Sequence, residues 1–161
     1  MKVLVQVLRG ERSRRGEWRG YTVEVSAGAT VLEVLRTIQR EQDGTLAFRE
    51  GCGAELCGAC GMLMNGEPAL ACATTIRASG GRELRLEPLP GFEVVRDLVV
   101  DFRPMHAAAE RMKPYLLRRQ PFAGLPEEEM IQSPEDWARC REAARCLTCG
   151  VCLAACPVWR M

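Results

Sequence analysis

Apolar and polar residues alternate in the first part of the chain, a pattern typical of β-strands with one buried face. Residues 3–8 and residues 21–25 follow it, and we predict that they pair across an Arg- and Gly-rich connection. We expect that connection to be a long, solvated hairpin loop rather than a docking patch, because short runs of charge are usually exposed. Its basic residues are Arg9, Arg12, Arg14, Arg15 and Arg19.

A helical pattern follows the second predicted strand. Thr30 and Glu33 have the spacing of a capping box, in which each residue satisfies a backbone N–H of the other. We therefore predict an amphipathic helix that ends between Gln39 and Gln42. Its apolar stripe consists of Val31, Val34, Leu35 and Ile38.

The next elements are predicted to be a short hairpin and one more strand. The hairpin turns at Asn65-Gly66, a strong signal for a tight turn, and Pro68 restricts its second strand to an edge or to a strand start. Residues 83–86 supply the further strand, and the Pro- and Gly-rich residues 88–91 mark a boundary. The order strand, strand, helix, hairpin, strand predicts a small mixed sheet crossed by one helix, a β-grasp arrangement.

Helical signals replace strand signals beyond that boundary. Residues 104–113 are a plausible helix that Pro114 would end, and residues 133–136 carry an N-cap, a first-turn proline and acidic residues. We therefore predict an α+β fold with two domains. A β-grasp domain would span residues 1–100, and a partial α-helical domain would span residues 101–161.

Composition excludes several classes of function. The chain has 161 residues, of which 47% are hydrophobic and 27% charged, as in a folded domain. Its 22 basic and 21 acidic residues balance, so we expect no nucleic-acid partner. No apolar stretch approaches the roughly 20 residues that span a bilayer. The N-terminus lacks the features of a secretory signal, so we expect a cytoplasmic protein.

The nine cysteines are many for this length, and in a reducing compartment they favour metal binding over disulfides. The first group has the spacing C-x4-C-x2-C-x11-C. Four thiolates suit either zinc or an iron–sulfur cluster. Glycines around the ligands favour a 2Fe-2S cluster, because backbone N–H groups can then approach its sulfur atoms. The ligands would be Cys52, Cys57, Cys60 and Cys72, and the glycines are Gly51, Gly53, Gly58 and Gly61.

The second group has the ferredoxin spacing C-x2-C-x2-C-x3-C-P, in which three cysteines bind one cluster and the fourth serves another. These cysteines are Cys146, Cys149, Cys152 and Cys156. The two motifs predict that residues 1–100 are a 2Fe-2S ferredoxin-type domain and residues 101–161 a partial α-helical ferredoxin-type domain. No cysteine group follows them, so the missing ligand would have to be Cys156, Cys140 or a group from outside this sequence. We expect the chain to be a truncated form of a longer one, and we expect Cys140 to pack beside Trp137 and Ala144 as a small apolar residue.

The segment from Cys52 to Gly66, closed by residues 70–72, resembles the N-terminal 2Fe-2S domain of the iron–sulfur subunits of succinate dehydrogenase and fumarate reductase. Other segments resemble the family in the same order, so that the resemblance covers essentially the whole chain. They are residues 45–50, 88–90, 95–99, 113–116 and 132–136.

The resemblance implies three cofactors and two partners. Cys52, Cys57, Cys60 and Cys72 would hold the 2Fe-2S cluster. The first three cysteines of the second group would belong to a 4Fe-4S cluster and Cys156 to a 3Fe-4S cluster, if the missing ligands are supplied. The partners would be an FAD-containing flavoprotein and a membrane anchor with quinone, which would hold the protein on the inner face of the cell membrane.

The same resemblance places Trp159 near the quinone, whereas packing or disorder is the alternative for a tryptophan so close to the end. His106, the only histidine, has no second histidine with which to build a Rieske-type site, so we expect a structural role.

The implied function is electron transfer within succinate:quinone oxidoreductase, with no catalytic residue on this chain and the dicarboxylate site on a partner. Alternatives are the iron–sulfur arm of a thiol- or heterodisulfide-linked fumarate reductase, the small subunit of a molybdenum hydroxylase, a free-standing ferredoxin-like carrier and a zinc-binding interaction module. The second cysteine spacing disfavours the molybdenum hydroxylase.

Overall fold

The computed structural model describes residues 1–12, 14–113 and 131–158. These residues form a mixed sheet and four helices. The strands are β1 (Lys2–Glu11), β2 (Arg14–Glu24), β3 (Gly61–Met64), β4 (Glu67–Leu70), β5 (Glu83–Glu87), β6 (Val94–Arg96) and β7 (Val99–Val100). The helices are α1 (Val31–Glu41), α2 (Arg103–Arg111), α3 (Pro134–Ala144) and α4 (Val151–Ala155).

Strand β1 organises the sheet. The strand order is β4-β3-β5-β1-β6-β7, with β2 paired to β1 outside this path. β1 pairs antiparallel with β2 and parallel with β5, as a β-grasp sheet requires. Val3, Val5 and Val7 are fully buried while Leu4 between them is 40% exposed, so the alternation in the sequence is the alternation of the two sheet faces. The predicted α+β, β-grasp fold is confirmed.

The connection between the first two strands is shorter than the sequence predicts. Pairing continues from Lys2↔Glu24 to Glu11↔Arg14, with an irregularity between Arg9 and Glu11. The prediction of a long hairpin loop is therefore wrong. Cross-strand pairs such as Leu8↔Trp18 extend the ribbon, and local charge patterns do not report such long-range pairing.

Helix α1 is confirmed. The Glu33 backbone N–H donates to Thr30 Oγ1 at 3.2 Å, and the Thr30 backbone N–H donates to a Glu33 carboxylate oxygen at 2.7 Å. This reciprocal pair is the predicted capping box. The predicted apolar stripe is fully buried in the core that also holds the valines of β1. The helix therefore covers one face of the sheet.

The predicted β3–β4 hairpin is also confirmed. Asn65 and Gly66 both have positive φ, +49° and +88°, which a tight turn of this type requires. Asn65 also clamps the neighbouring strand, because its side-chain oxygen accepts the Arg85 backbone N–H at 2.7 Å. Pro68 lies in β4 at the end of the strand order, so its missing N–H costs no bond on the outer side.

Strands β6 and β7 were not predicted. They contain three and two residues, too few for a periodic pattern to be recognised. Long-range contacts define them instead: Glu11 pairs with Arg96, and the Asp97 backbone N–H donates to the Gly10 carbonyl at 2.6 Å. The turn between the two strands is therefore fastened to the end of β1.

The helices beyond the sheet agree with the predicted helical segments. α2 begins one residue before the predicted start, and its predicted terminator, Pro114, lies outside the described residues. α3 begins after Ser133, whose hydroxyl accepts the Asp136 backbone N–H at 3.0 Å. Contacts divide the chain into one unit of residues 1–102 with 148–161 and a second unit of residues 103–147. The predicted domain boundary at residue 100 stays a prediction.

Arg9 does not lie in a solvated loop, contrary to the expectation for the basic segment. Its side chain is 14% exposed and contacts two carboxylates, Asp43 at 2.7 Å and Asp97 at 2.9 Å. Tyr21 donates its hydroxyl to Asp43 at 2.7 Å, and Arg19 adds an ion pair at 2.8 Å. Low exposure strengthens such charge-assisted contacts. The network ties β1 to the end of α1 and to the β6–β7 turn.

We expect Asp43→Asn to lower the free energy of unfolding by on the order of 3 kcal/mol at pH 7, because the poorly exposed Arg9 would lose one of its two charge partners. Hydrogen bonds from Thr45 and Tyr21 hold the pKa of Asp43 well below its usual range. A depressed carboxyl pKa adds stability above the unfolded-state value and loses it on acidification. The difference between the proteins should therefore shrink below about pH 4.

Urea unfolding at several pH values measures this difference. Glu41→Gln is the matched control, since Glu41 forms an exposed ion pair with Arg40 and should cost less than about 1 kcal/mol. Equal effects of the two substitutions at pH 7 would contradict the importance of the network.

Candidate metal centre

Three cysteines of the first group, Cys52, Cys57 and Cys60, lie on the connection from α1 to β3, and Cys72 follows β4. The connection is anchored ahead of its cysteines: Leu46 is buried, and the Ala47 carbonyl accepts the Leu98 backbone N–H at 3.2 Å. Arg36 on α1 holds Glu50 in an ion pair at 2.6 Å. The sheet thus fixes both ends of an otherwise exposed loop, because Cys60 immediately precedes β3.

Cys52 lies at the centre of a ring of backbone donors. Its Sγ accepts N–H groups from Ala54 at 3.3 Å, Leu56 at 3.2 Å and Cys57 at 3.3 Å. The Cys52 backbone N–H in turn donates to Cys57 Sγ at 3.3 Å. The hydrogen bonds from Ala54 and Leu56 lower the pKa of the Cys52 thiol to about 7. The loop is therefore built to stabilise negative charge on sulfur.

Cys60 and Cys72 form a second pair in a different environment. Cys60 is 4% exposed, and its Sγ accepts the Cys72 backbone N–H at 3.4 Å. The neighbouring Ala71 N–H donates to the Cys60 carbonyl at 3.1 Å, which holds the two cysteines together at one end of the β3–β4 hairpin. Burial raises the pKa of the Cys60 thiol to about 11. A bound cation would offset that cost by stabilising the thiolate.

Glycines make room around these sulfur atoms. A Cβ placed on Gly51 would lie 2.9 Å from Cys57 Sγ, closer than a side chain can approach. Gly53 and Gly58 have φ of +65° and +69°, which allow the loop to turn its N–H groups inward. Four thiols, inward N–H groups and no obstructing Cβ together fit a thiolate-bound iron–sulfur cluster.

Hydrogen bonds link the cysteines of the first group two by two, Cys52 with Cys57 and Cys60 with Cys72. Within the described ranges, no three Cys, His, Asp or Glu side chains are grouped so as to hold one metal ion. The four thiols match the number of ligands that a 2Fe-2S cluster takes.

The four cysteines of the second group differ in exposure. Cys146 is exposed after α3, Cys149 is half-buried ahead of α4, Cys152 is exposed on α4, and Cys156 is half-buried at the C-cap of α4. Their cluster assignments stay predictions from spacing. Trp159, the residue expected near a quinone, lies outside the described residues.

Cys140 and His106 lie on helices α3 and α2, outside both cysteine groups. Cys140 is exposed rather than packed, so the expectation that it behaves as a small core residue is wrong. The reason is that α3 buries none of its residues. His106 is exposed on α2, and its expected structural role stays a prediction.

Sequence reasoning missed the donors that surround the sulfur atoms. The N–H groups of Ala54 and Leu56 belong to the backbone, so their residue types carry no signal for this role. The glycine spacing was the only indirect indication. Leu56 was also missed, although its side chain is 73% exposed beside the cysteine pair on the surface.

Comparisons with known proteins agree with this site. A family model described as a 2Fe-2S iron–sulfur cluster binding domain matches residues 4–107. The succinate dehydrogenase iron–sulfur subunit of Coxiella burnetii is 35% identical over 149 residues, covering 91% of this chain and 61% of that protein. The fumarate reductase iron–sulfur subunit of Mycobacterium tuberculosis is 35% identical over 144 residues, covering 89% of this chain and 58% of that protein.

A solved structure gives the same result. A chain of the Mycobacterium smegmatis Sdh1 complex in the apo form superimposes with a TM-score of 0.83 and is 33% identical. The match covers 99% of this chain and 65% of that one. The present chain thus spans about three-fifths of the length of these relatives.

We predict that the thiols of Cys52 and Cys60 differ widely in pKa in the metal-free chain. A thiolate alkylates and a thiol does not, so Cys52 should react with iodoacetamide as the pH rises through about 7, well before Cys60 with its pKa of about 11.

Peptide mass spectrometry after timed labelling between pH 6 and 9 measures both rates, with N-acetylcysteine in the same mixture as a free-thiol reference and far-UV circular dichroism as a check of folding. A Cys52 profile that coincides with the reference would contradict the role of the backbone donors.

Proposed function

Since the chain belongs to the 2Fe-2S iron–sulfur cluster binding domain family and is homologous to the iron–sulfur subunits of succinate dehydrogenase and fumarate reductase, we propose that it carries electrons in an enzyme of that type. The observation that carries the proposal is the arrangement of the first four cysteines, with backbone donors aimed at an exposed sulfur. No residue of this chain is proposed to perform bond chemistry.

Two cysteine pairs would hold the 2Fe-2S cluster, one pair on each iron. Cys52 and Cys57 form the exposed pair, and Cys60 with Cys72 forms the sheltered one. When bound, the cluster supplies one-electron transfer. The N–H groups donated to Cys52 would stabilise the more negative, reduced state, and the glycines keep side chains out of the space beside the sulfur atoms.

The second group extends the proposal on the strength of its spacing. Cys146, Cys149 and Cys152 would ligate a 4Fe-4S cluster, and Cys156 would belong to a 3Fe-4S cluster, each completed by ligands from outside this sequence. Separate clusters on one chain would allow electrons to pass through it in single steps.

We propose the partners that the family resemblance implies, an FAD-containing flavoprotein that carries the dicarboxylate active site and a membrane anchor with quinone. The flavoprotein would exchange electrons at the loop of Cys52 and Cys57, because these thiols and the side chain of Leu56 are exposed there. The anchor would hold the chain on the inner face of the membrane. Within the described part of the chain, no helix is long and apolar enough to cross a membrane.

We expect Cys57→Ala to abolish the 2Fe-2S cluster, since one iron would lose a thiolate. The measurements are iron and acid-labile sulfide after anaerobic purification, together with the EPR spectrum of the dithionite-reduced protein. Cys140→Ala is the matched control, because Cys140 is an exposed cysteine on α3 and should leave the signal unchanged. Zinc without labile sulfide in the parent protein would refute the electron-transfer function.

A second experiment separates a subunit from a free-standing carrier. Co-expression with the proposed flavoprotein partner should give a complex that reduces the 2Fe-2S cluster when succinate is added. Leu56→Asp should weaken that complex, because a charge would enter a contact made by an apolar side chain. Val95→Asp is the matched control, because Val95 is an exposed apolar residue of β6 outside the cysteine loop. Efficient cluster reduction with no stable complex would favour the carrier.

A further inference from the structure

Helix α4, which carries Cys152 of the second cysteine group, packs against the sheet that carries the first group. Both belong to the same compact unit. The contact is with β4, the second strand of the hairpin that starts directly after Cys60 and leads to Cys72. Ala154 on α4 is fully buried. Cys149, Cys152 and Cys156 of the second group therefore lie in the same packed unit as the first group, although about 75 residues separate the two groups along the chain.

Gly61, the first residue of β3, contacts the segment that leads into α4. A Cβ built on Gly61 would lie 3.0 Å from the Cys149 carbonyl oxygen, 3.2 Å from a methyl carbon of Leu89 and 3.6 Å from one of Val151. Gly61 follows Cys60 directly, so the backbone next to a ligand of the first cluster meets the backbone of a ligand of the second. The φ of Gly61 lies outside the left-handed region, so space and not backbone conformation requires the missing side chain.

Gly150 fixes the same segment from its other side. A Cβ on Gly150 would lie 3.0 Å from the rings of Phe92 and Phe102, and its φ of +74° also favours glycine. The two rings pack edge to face with centroids 5.1 Å apart. Arg49, just ahead of the first cysteine loop, stacks over Phe102 at 5.6 Å. The aromatic pair therefore contacts the approach to the first group and the start of α4.

We propose that Gly61 and Gly150 are positioning residues for electron transfer between the two cysteine groups, because their missing side chains seat the Cys149 segment against the strand that follows Cys60. This inference rests on the proposed function. One electron would pass from the reduced 2Fe-2S centre to the oxidised centre of the second group, with no bond formed or broken. Gly61 directly follows Cys60 and contacts the Cys149 carbonyl oxygen, so the proposed ligands Cys60 and Cys149 lie close together.

Gly61 and Gly150 could serve stability alone or set the separation between the two centres, and these roles predict different results. If they serve stability alone, substitution lowers the free energy of unfolding and leaves the interaction between the centres unchanged in the folded protein. If they set the separation, substitution weakens that interaction even where both centres are retained. The second outcome is the one that the juxtaposition of Cys60, Gly61 and Cys149 predicts.

The test uses Gly61→Val and Gly150→Ala in this chain together with the segment or subunit that supplies the remaining ligands of the second centre, reconstituted anaerobically with iron and sulfide. Gly61→Val adds volume where three neighbouring groups already lie close, and Gly150→Ala acts from the aromatic side, away from the first cysteine loop. Gly28→Ala is the control for added volume, because nothing lies within 4 Å of a Cβ at Gly28. Gly66→Ala is the control for positive φ, with +88° and equally open space.

Two readouts are measured. The first is the microwave power that half-saturates the reduced 2Fe-2S EPR signal, which falls when a second paramagnetic centre moves away. The second is hydrogen exchange of residues 151–155, which reports the seating of α4 without depending on a cluster. We expect both test variants to retain the iron and sulfide content of the parent, to show a several-fold lower half-saturation power and to exchange faster in α4. Both controls should match the parent.

Unchanged half-saturation power in both test variants would overturn the positioning role and leave the proposed function intact. If Gly61→Val loses the first cluster, Gly150→Ala decides by the same criterion. A parent protein that receives those ligands and assembles the 2Fe-2S cluster but no second centre would overturn this inference together with the second-cluster part of the proposed function. A parent chain without labile sulfide would refute the proposed function as a whole.

Discussion

Burial of the inner face of β1 beneath helix α1 is the constraint on which the rest of the structure depends. Val3, Val5 and Val7 have no exposed surface, and the apolar stripe of α1 lies in the same core. Removing this much apolar surface from water supplies the main drive for folding. Because α1 leads into the cysteine loop and β1 pairs with β5 beside β3, the packed core fixes both ends of the metal centre.

Charge then fastens the irregular parts of the chain to this core. Arg9 extends from β1 between Asp43, after the end of α1, and Asp97, in the β6–β7 turn. Asp97 also accepts the backbone N–H groups of Gly10 at 3.1 Å and Ala47 at 2.9 Å. One buried carboxylate thus satisfies donors from segments far apart in sequence, which a loop could not provide for itself. The approach to the cysteine loop is rigid for this reason.

The metal centre combines two environments within one loop. The exposed pair of Cys52 and Cys57 is surrounded by backbone donors, whereas Cys60 is buried at the start of β3. Gly61, which follows Cys60, lies next to the Cys149 carbonyl oxygen. Under the proposed function, electrons would enter at the exposed side and pass toward the second cysteine group.

The sequence by itself determined the elements whose signals are local. The capping box of α1, the Asn65-Gly66 turn and the alternation in β1 each depend on residues within a few positions of one another, and the cysteine spacing identified the candidate ligands. Only the tertiary structure decided the full length of β2, the strands β6 and β7, the partners of Arg9 and the seat of α4 beside Gly61. These features depend on backbone groups and side chains that folding brings together from distant parts of the chain, and no local pattern records such contacts.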